Sequence, residues 1–240
     1  MEEGQLIYGR HAVLEALQQG RELEHVYLAP EAPPKLKVAA KEAGVPWSEA
    51  GKQELDRRAG GRPHQGVVAV VSAFHYAEVE DIWKRVDASP PALVLVVPQI
   101  FDPGNLGALL RSAEAAGVHG VVLGKRRTCG LTGVVGKAAA GALEHLPVAR
   151  VVNAQYFLDE VKERGLWVVG ADSTGDTEYT KAKFSEPTAL VLGSETGLGP
   201  VLLKKCDVVV RIPMYGKVES LNVSVAGALL MFEARRQRRG

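Results

Sequence analysis

Cysteine is nearly absent from this 240-residue sequence: Cys129 and Cys206 are the only two, far apart, with no C-x-x-C pair. A disulfide framework and a structural zinc site are thereby excluded, and no metal is expected. The six histidines (His11, His25, His64, His75, His119 and His145) are scattered singly rather than clustered at ligand spacing. Long apolar runs are also missing. The longest, such as residues 92–98, fall far short of the ~20 residues a membrane span needs. The opening MEEGQLIYGR is acidic and lacks a basic stretch followed by an apolar one, so no signal peptide is expected and a cytoplasmic location is.

An excess of charge is missing too. With 29 Lys+Arg against 28 Asp+Glu, the net charge is +1, which excludes holding a polyanion by bulk positive charge. The balance is uneven along the chain. Residues 1–90 carry 11 basic and 14 acidic side chains, a net −3, whereas residues 91–240 carry 18 and 14, a net +4. The second part therefore has room for a limited local basic surface. At 46% hydrophobic and 24% charged, the chain has the composition of a globular protein able to bury a core.

Glycine and proline divide what is there. The Ser89-Pro90-Pro91 cluster resists both helix and sheet and marks the boundary between a small α/β domain over residues 1–75, a polar linker over 76–91, and a larger domain over 92–240. In the first, helices are expected over residues 9–20, 35–43 and 53–58, the first two closed by Gly20 and Gly44, with strands at 24–28 and in VVAVVSAF. In the second, apolar strands at 92–97, 120–123, 148–152, 166–169, 188–192 and 208–212 alternate with helices at 106–116, 137–143, 155–164 and 222–238. Strands without polar alternation, each followed by a helix, predict a parallel sheet covered on both faces.

Open parallel sheets bind ligands beyond the carboxyl ends of their strands, and three loops there are unusual in composition. Residues 101–117 (FDPGNLGALLRSAEAAG) place Asn105 near a helix start and Arg111 further along it, a pairing suited to an anion or to nothing more than a cap and a solvated face. Residues 192–200 (LGSETGLGP) set Glu195 among Gly193, Gly197 and Gly199, at a spacing that matches neither dinucleotide nor P-loop fingerprints. Residues 212–230 (IPMYGKVESLNVSVAGALL) put Ser220 and Asn222 at the mouth of an apolar helix, where either is also a plausible cap.

Together, in this order, these segments resemble the three motifs of the TrmH branch of the SPOUT superfamily, the RNA ribose 2′-O-methyltransferases. The first appears as Asn105, Gly107, Ala108 and Arg111, the second as L-G-S-E-T-G-L-G, and the third as I-P-M followed by S-L-N-V-S-V-A. The early YGRHAVLEAL and HQGVVA are similar to an L30e-like substrate-binding domain, and CGLTGVVGKAAAGALEHLPV, with Lys137, Ala140, Gly141 and His145, resembles RlmB-type members that methylate a guanosine of 23S ribosomal RNA.

The resemblance implies a SPOUT-type α/β catalytic domain with a C-terminal trefoil knot, S-adenosylmethionine as cofactor, and a homodimer formed through the knotted domain. It implies catalytic roles for Asn105, Arg111, Glu195, Ser220 and Asn222, and cofactor contacts near Leu192, Gly193, Ile212, Met214 and Leu221. Arg111 matches the family's proposed general base. Because arginine is effectively always protonated, it is expected to hold RNA phosphate and stabilise a developing alkoxide, or to lose its proton only transiently. Arg10, Lys125, Arg126 and Arg127 are candidate RNA contacts, as are Arg235, Arg236, Arg238 and Arg239 unless these serve their own helix terminus. A transfer RNA loop guanosine is the alternative substrate, and a non-catalytic RNA-binding assembly factor the alternative of another class.

Overall fold

The computed structural model describes residues 6–72, 74–194 and 197–239. The chain forms two compact units, and the first, ending at His75, also takes in Cys129–Val134. It comprises β1 (Leu6–Tyr8), α1 (Arg10–Gln18), β2 (Leu23–Leu28), α2 (Pro34–Ala43), β3 (Trp47–Glu49), α3 (Lys52–Ala59) and β4 (Val67–Val71). The sheet order is β1-β4-β2-β3, with β4 antiparallel to both neighbours and β2 parallel to β3. Strand alternation sends Val67 and Ala69 to one face, against Val13, Leu28 and Leu36, and Val68 to the other, against Leu55 and Ala59. Helices therefore cover both faces of this small sheet. α2 ends at Gly44 in the left-handed region, as its glycine predicts, whereas α1 is capped by Gln19, one residue before Gly20.

The second unit contains α4 (Val79–Ala88), β5 (Leu93–Val97), α5 (Pro103–Ala115), β6 (Gly120–Gly124), α6 (Gly133–Ala139), β7 (Val148–Val151), α7 (Ala154–Glu163), β8 (Trp167–Ala171), β9 (Thr177–Glu178), β10 (Thr188–Leu192), α8 (Pro200–Leu203), β11 (Val208–Arg211) and α9 (Val223–Arg238); the first two residues of α6 cluster with the first unit. Its seven strands lie in the order β7-β6-β5-β10-β8-β11-β9, all neighbours parallel. The stretch read as a polar linker holds α4. Val79, Ile82, Trp83 and Val86 recur at helical spacing on one face and pack into the core, while Glu80, Asp81, Lys84 and Arg85 disguise the periodicity. A reciprocal capping box between Glu78 and Asp81 starts it. The small-residue helix expected over 137–143 lies earlier, as α6, and β9 is too short to leave a pattern. No described helix is long and apolar enough to cross a membrane.

Val94 and Val96 of β5 pack with Ile82, Phe157 and Leu158. Leu93, Leu95 and Val97, which point the other way, are equally buried. Two glycines set how closely the helices approach. A Cβ on Gly107 of α5 would stand 2.4 Å from the Ala138 Cβ and 2.7 Å from the Val135 carbonyl oxygen, so α6 presses directly on α5. A Cβ on Gly227 of α9 would stand 2.5 Å from Leu109 Cδ1 and 2.7 Å from Leu192 Cδ1, which seats α9 against α5 and β10. The glycine of the first motif is thus a packing residue. Gly107→Ala forces backbone to move, and we expect it to destabilise the protein by about 1–3 kcal/mol, the usual cost of overpacking, read as a lower denaturant midpoint with unchanged slope.

Candidate active site

Two helix starts meet at this site. Asp102, not Asn105, caps α5: its carboxylate accepts the Asn105 N–H at 2.6 Å. Asn222 caps α9, its Oδ1 accepting the Ser224 N–H at 2.9 Å and the Ser224 hydroxyl at 2.6 Å. The amide nitrogen of Asn222 remains to donate, and it donates to Asn105 Oδ1 at 2.8 Å across 117 residues of sequence. The first and third loops are joined by that bond. Arg111 stands on the same helix as Asn105, about 9 Å further along its axis. Its side chain is exposed and has no hydrogen-bond partner among the described residues. Glu195, in the second loop, lies outside the described residues.

Beside this pair, at the carboxyl ends of β8, β10 and β11, is a cavity of about 440 Å³. Its lining includes Leu192, Gly193, Ile212, Met214 and Leu221, all five positions marked for the cofactor, together with Ser220. Asn105, Arg111 and Asn222 are not among its walls. The walls join apolar side chains, also including Val223 and Ala226, to exposed backbone, an arrangement that holds a flat apolar group while fixing it by a few polar contacts. Gly193 is required by crowding. A Cβ there would lie 2.3 Å from the Gly197 carbonyl carbon, so the two ends of the second loop touch.

Asp172 escaped the sequence reading. It follows β8, lines the cavity, and organises it: Oδ2 accepts the Leu198 N–H at 2.8 Å, and Oδ1 accepts the Thr174 N–H at 3.0 Å and hydroxyl at 2.7 Å. Partial burial acts to raise its pKa, but the hydrogen bonds from Thr174 and Leu198 outweigh it and hold the carboxyl below its ordinary value. A depressed carboxylate pKa adds stability above the unfolded value, lost as pH falls through the folded one. The loop therefore stays anchored at neutral pH and loses this contribution as the carboxyl protonates, below the pH at which an ordinary aspartate would. The available signal was positional, an acidic residue just after a strand of a parallel sheet.

The basic candidates separate by their partners. Arg10 donates Nε–H to the Gln65 carbonyl at 3.0 Å and, with His11 and Lys35, borders a shallow pocket in the first unit. Lys125, Arg126 and Arg127 follow β6, the latter two exposed. The tail is different: Arg235 donates to the Ala116 and Gly117 carbonyls at the end of α5, Arg236 pairs with Glu233, and Arg238 donates to the carbonyls of Pro91, Ala92, Phe184 and Glu186. Burial, with Arg235 nearby, lowers the Arg238 pKa to about 10, leaving it charged at neutral pH. Arg235 and Arg238 are clamps between segments, each bonded to backbone carbonyls. Arg239 stays exposed beside Arg235 and Arg236.

Residues 92–232 match the model of the SpoU rRNA Methylase family, and residues 6–77 match that described as RNA 2′-O ribose methyltransferase substrate binding. YacO of Bacillus subtilis (strain 168), named as a TrmH family tRNA/rRNA methyltransferase, is 42% identical over 239 residues, covering 97% of this chain and 95% of that protein. Among solved structures, the SpoU methyltransferase AviRb from Streptomyces viridochromogenes, in complex with the cofactor AdoMet, aligns with a TM-score of 0.64 and 26% identity, over 99% of this chain and 91% of its own. An AdoMet-bound rRNA methyltransferase from Sinorhizobium meliloti aligns at 0.61 and 25%, over 98% and 87%. The chain belongs to the SpoU rRNA methylase family.

Proposed function

We propose that this protein methylates the ribose 2′-hydroxyl of a guanosine in 23S ribosomal RNA with S-adenosylmethionine as methyl donor. The observation that carries the reading is the Asn222–Asn105 bond beside a cavity lined by Leu192, Gly193, Ile212, Met214 and Leu221. When bound, S-adenosylmethionine would supply an electrophilic methyl group to the ribose oxygen, leaving a neutral thioether, with the hydroxyl proton passing to solvent. Leu192, Ile212 and Leu221 would enclose the adenine, and the backbone around Gly193 and Met214 would fix its polar edge. Ser220 and Asn222 shape the acceptor side. Arg111, exposed on α5, holds the RNA phosphate and stabilises the developing alkoxide, while Asn105 positions the acceptor and Glu195 orients these groups.

The first unit is taken as an L30e-like substrate-binding domain over residues 1–75, which favours ribosomal over transfer RNA. A trefoil knot in the C-terminal part is carried into this reading by the family resemblance. Val225, Leu229 and Phe232 leave an apolar stripe on α9, each 39–49% exposed at i, i+4, i+7 spacing. A second copy of this chain is its occupant, making a homodimer through that domain.

Labelled methyl transfer to naked ribosomal and transfer RNA, followed by mapping of the modified ribose, tests the reaction and substrate together. A single 2′-O-methylguanosine in 23S RNA is expected. Modification of a transfer RNA loop instead overturns the substrate, and binding of RNA without any transfer revives the assembly factor. Arg111→Lys should slow single-turnover transfer by about 100-fold or more, the scale of losing one oxyanion donor; a rate equal to wild type removes Arg111 from the chemistry. Sedimentation should show a dimer that Leu229→Glu with Phe232→Glu converts to a folded monomer, and an unchanged dimer would place the interface elsewhere.

A further inference from the structure

Away from the cofactor cavity, the carboxyl edge of β5, β6 and β7 carries a surface that the reaction itself does not use. Three loops follow these adjacent strands and are bonded to one another in strand order. The Ile100 N–H donates to the Arg127 carbonyl at 3.2 Å, with a parallel bridge from Ile100 to Thr128, and the Lys125 N–H donates to the Val151 carbonyl at 2.8 Å. The three loops form one continuous shelf. At one end Phe101 is 63% exposed, and at the other Tyr156, on the first turn of α7, is 75% exposed beside Val152 at 72%. Between them stand Lys125, Arg126 and Arg127.

Two features distinguish this shelf from ordinary surface. Its cations have no carboxylate partner among the described residues; the nearest acid in sequence to Phe101, Asp102, is turned to the Asn105 N–H of its own helix. Large aromatic rings are costly to leave in water, and here two stand at the ends of an unneutralised basic stretch. Cations spaced between exposed aromatics suit a chain that alternates anionic linkages with flat apolar faces. Single-stranded RNA is such a chain: its bases stack on rings and its phosphates pair with Lys and Arg. A duplex hides those faces. The loop carrying Phe101 continues directly into Asn105, so a strand on the shelf runs toward the acceptor position.

We infer that the shelf formed by Phe101, Lys125–Arg127 and Tyr156 binds an unpaired segment of the substrate RNA next to the methylated nucleotide, with bases stacked on the two rings. This deepens the methyltransferase reading and rests on it, and it specifies that the target lies in a loop or other single-stranded stretch.

Fluorescence anisotropy of the full-length protein with a labelled, non-self-complementary eight-nucleotide RNA, alone or annealed to its complement, tests the inference. The single strand is expected to bind more tightly than the duplex. Phe101→Ala and Tyr156→Ala should each weaken single-strand binding by about 5-fold to 100-fold, with little effect on duplex, while Phe101→Trp retains it. Arg126→Ala with Arg127→Ala should flatten the salt dependence of single-strand binding by about 1.4 in log–log slope. Unchanged single-strand affinity in both aromatic variants, or equal losses for duplex, overturns the shelf. Calorimetry with S-adenosylmethionine on the same preparations keeps the two ideas apart. Failure of the wild type to bind it counts against the methyltransferase reading alone, whatever the RNA result.

Discussion

How closely α9 lies against α5 decides whether this chain has a site at all. The contact depends on Gly227, where a methyl group would collide with Leu109 on one side and Leu192 on the other. That spacing lets the N-cap of one helix reach across to the first turn of the other, so that Asn222 and Asn105 share a hydrogen bond. A cap normally spends its side chain on its own helix. Asn222 does so with its oxygen and has a nitrogen left over, which serine, threonine or aspartate at that position would lack.

The parallel sheet supplies the second constraint. With every strand of the second unit running the same way, all the turns that follow them open on one edge, and groups far apart in sequence collect there. β10 between β5 and β8, with β11 outside β8, brings the second and third loops to one cavity. Asp172 then holds the Leu198 end of the second loop in place, while Gly193 lets its two ends touch. On the same edge, the loops after β5, β6 and β7 present the cations and aromatic rings of the inferred shelf.

Much of this was legible in the sequence, for physical reasons. Strands buried on both faces must be apolar throughout, and runs such as LVLVV and TALVL have no other use. The three motif loops were legible through their collinear resemblance to a known family, since each residue taken singly also reads as a cap or a tight turn. What stayed hidden was whatever one local pattern does not reveal. α4 presents its charges to the outside, and its four apolar residues read as interruptions of a polar stretch. Asp172 is a single acid whose partners are the Thr174 backbone and hydroxyl, 2 residues away, and the Leu198 backbone, 26 residues away. The tail arginines resemble a nucleic-acid contact by composition, yet Arg238 is satisfied by four carbonyls from segments as much as 147 residues distant. Gly107 was identified with its motif, but the reason for it, the backbone of α6, lies in a helix about 30 residues downstream.

The central claim is that the amides of Asn105 and Asn222 act as one unit, and a double-mutant cycle on methyl transfer tests it most directly. Asn222→Ser keeps a capping oxygen for α9 but cannot reach Asn105, and Asn105→Ala removes the acceptor. Single-turnover rates of the two variants and their combination should show strong coupling, the double variant being little slower than the slower single one. Losses that simply multiply would mean that the two residues act independently and that the bond between them is incidental.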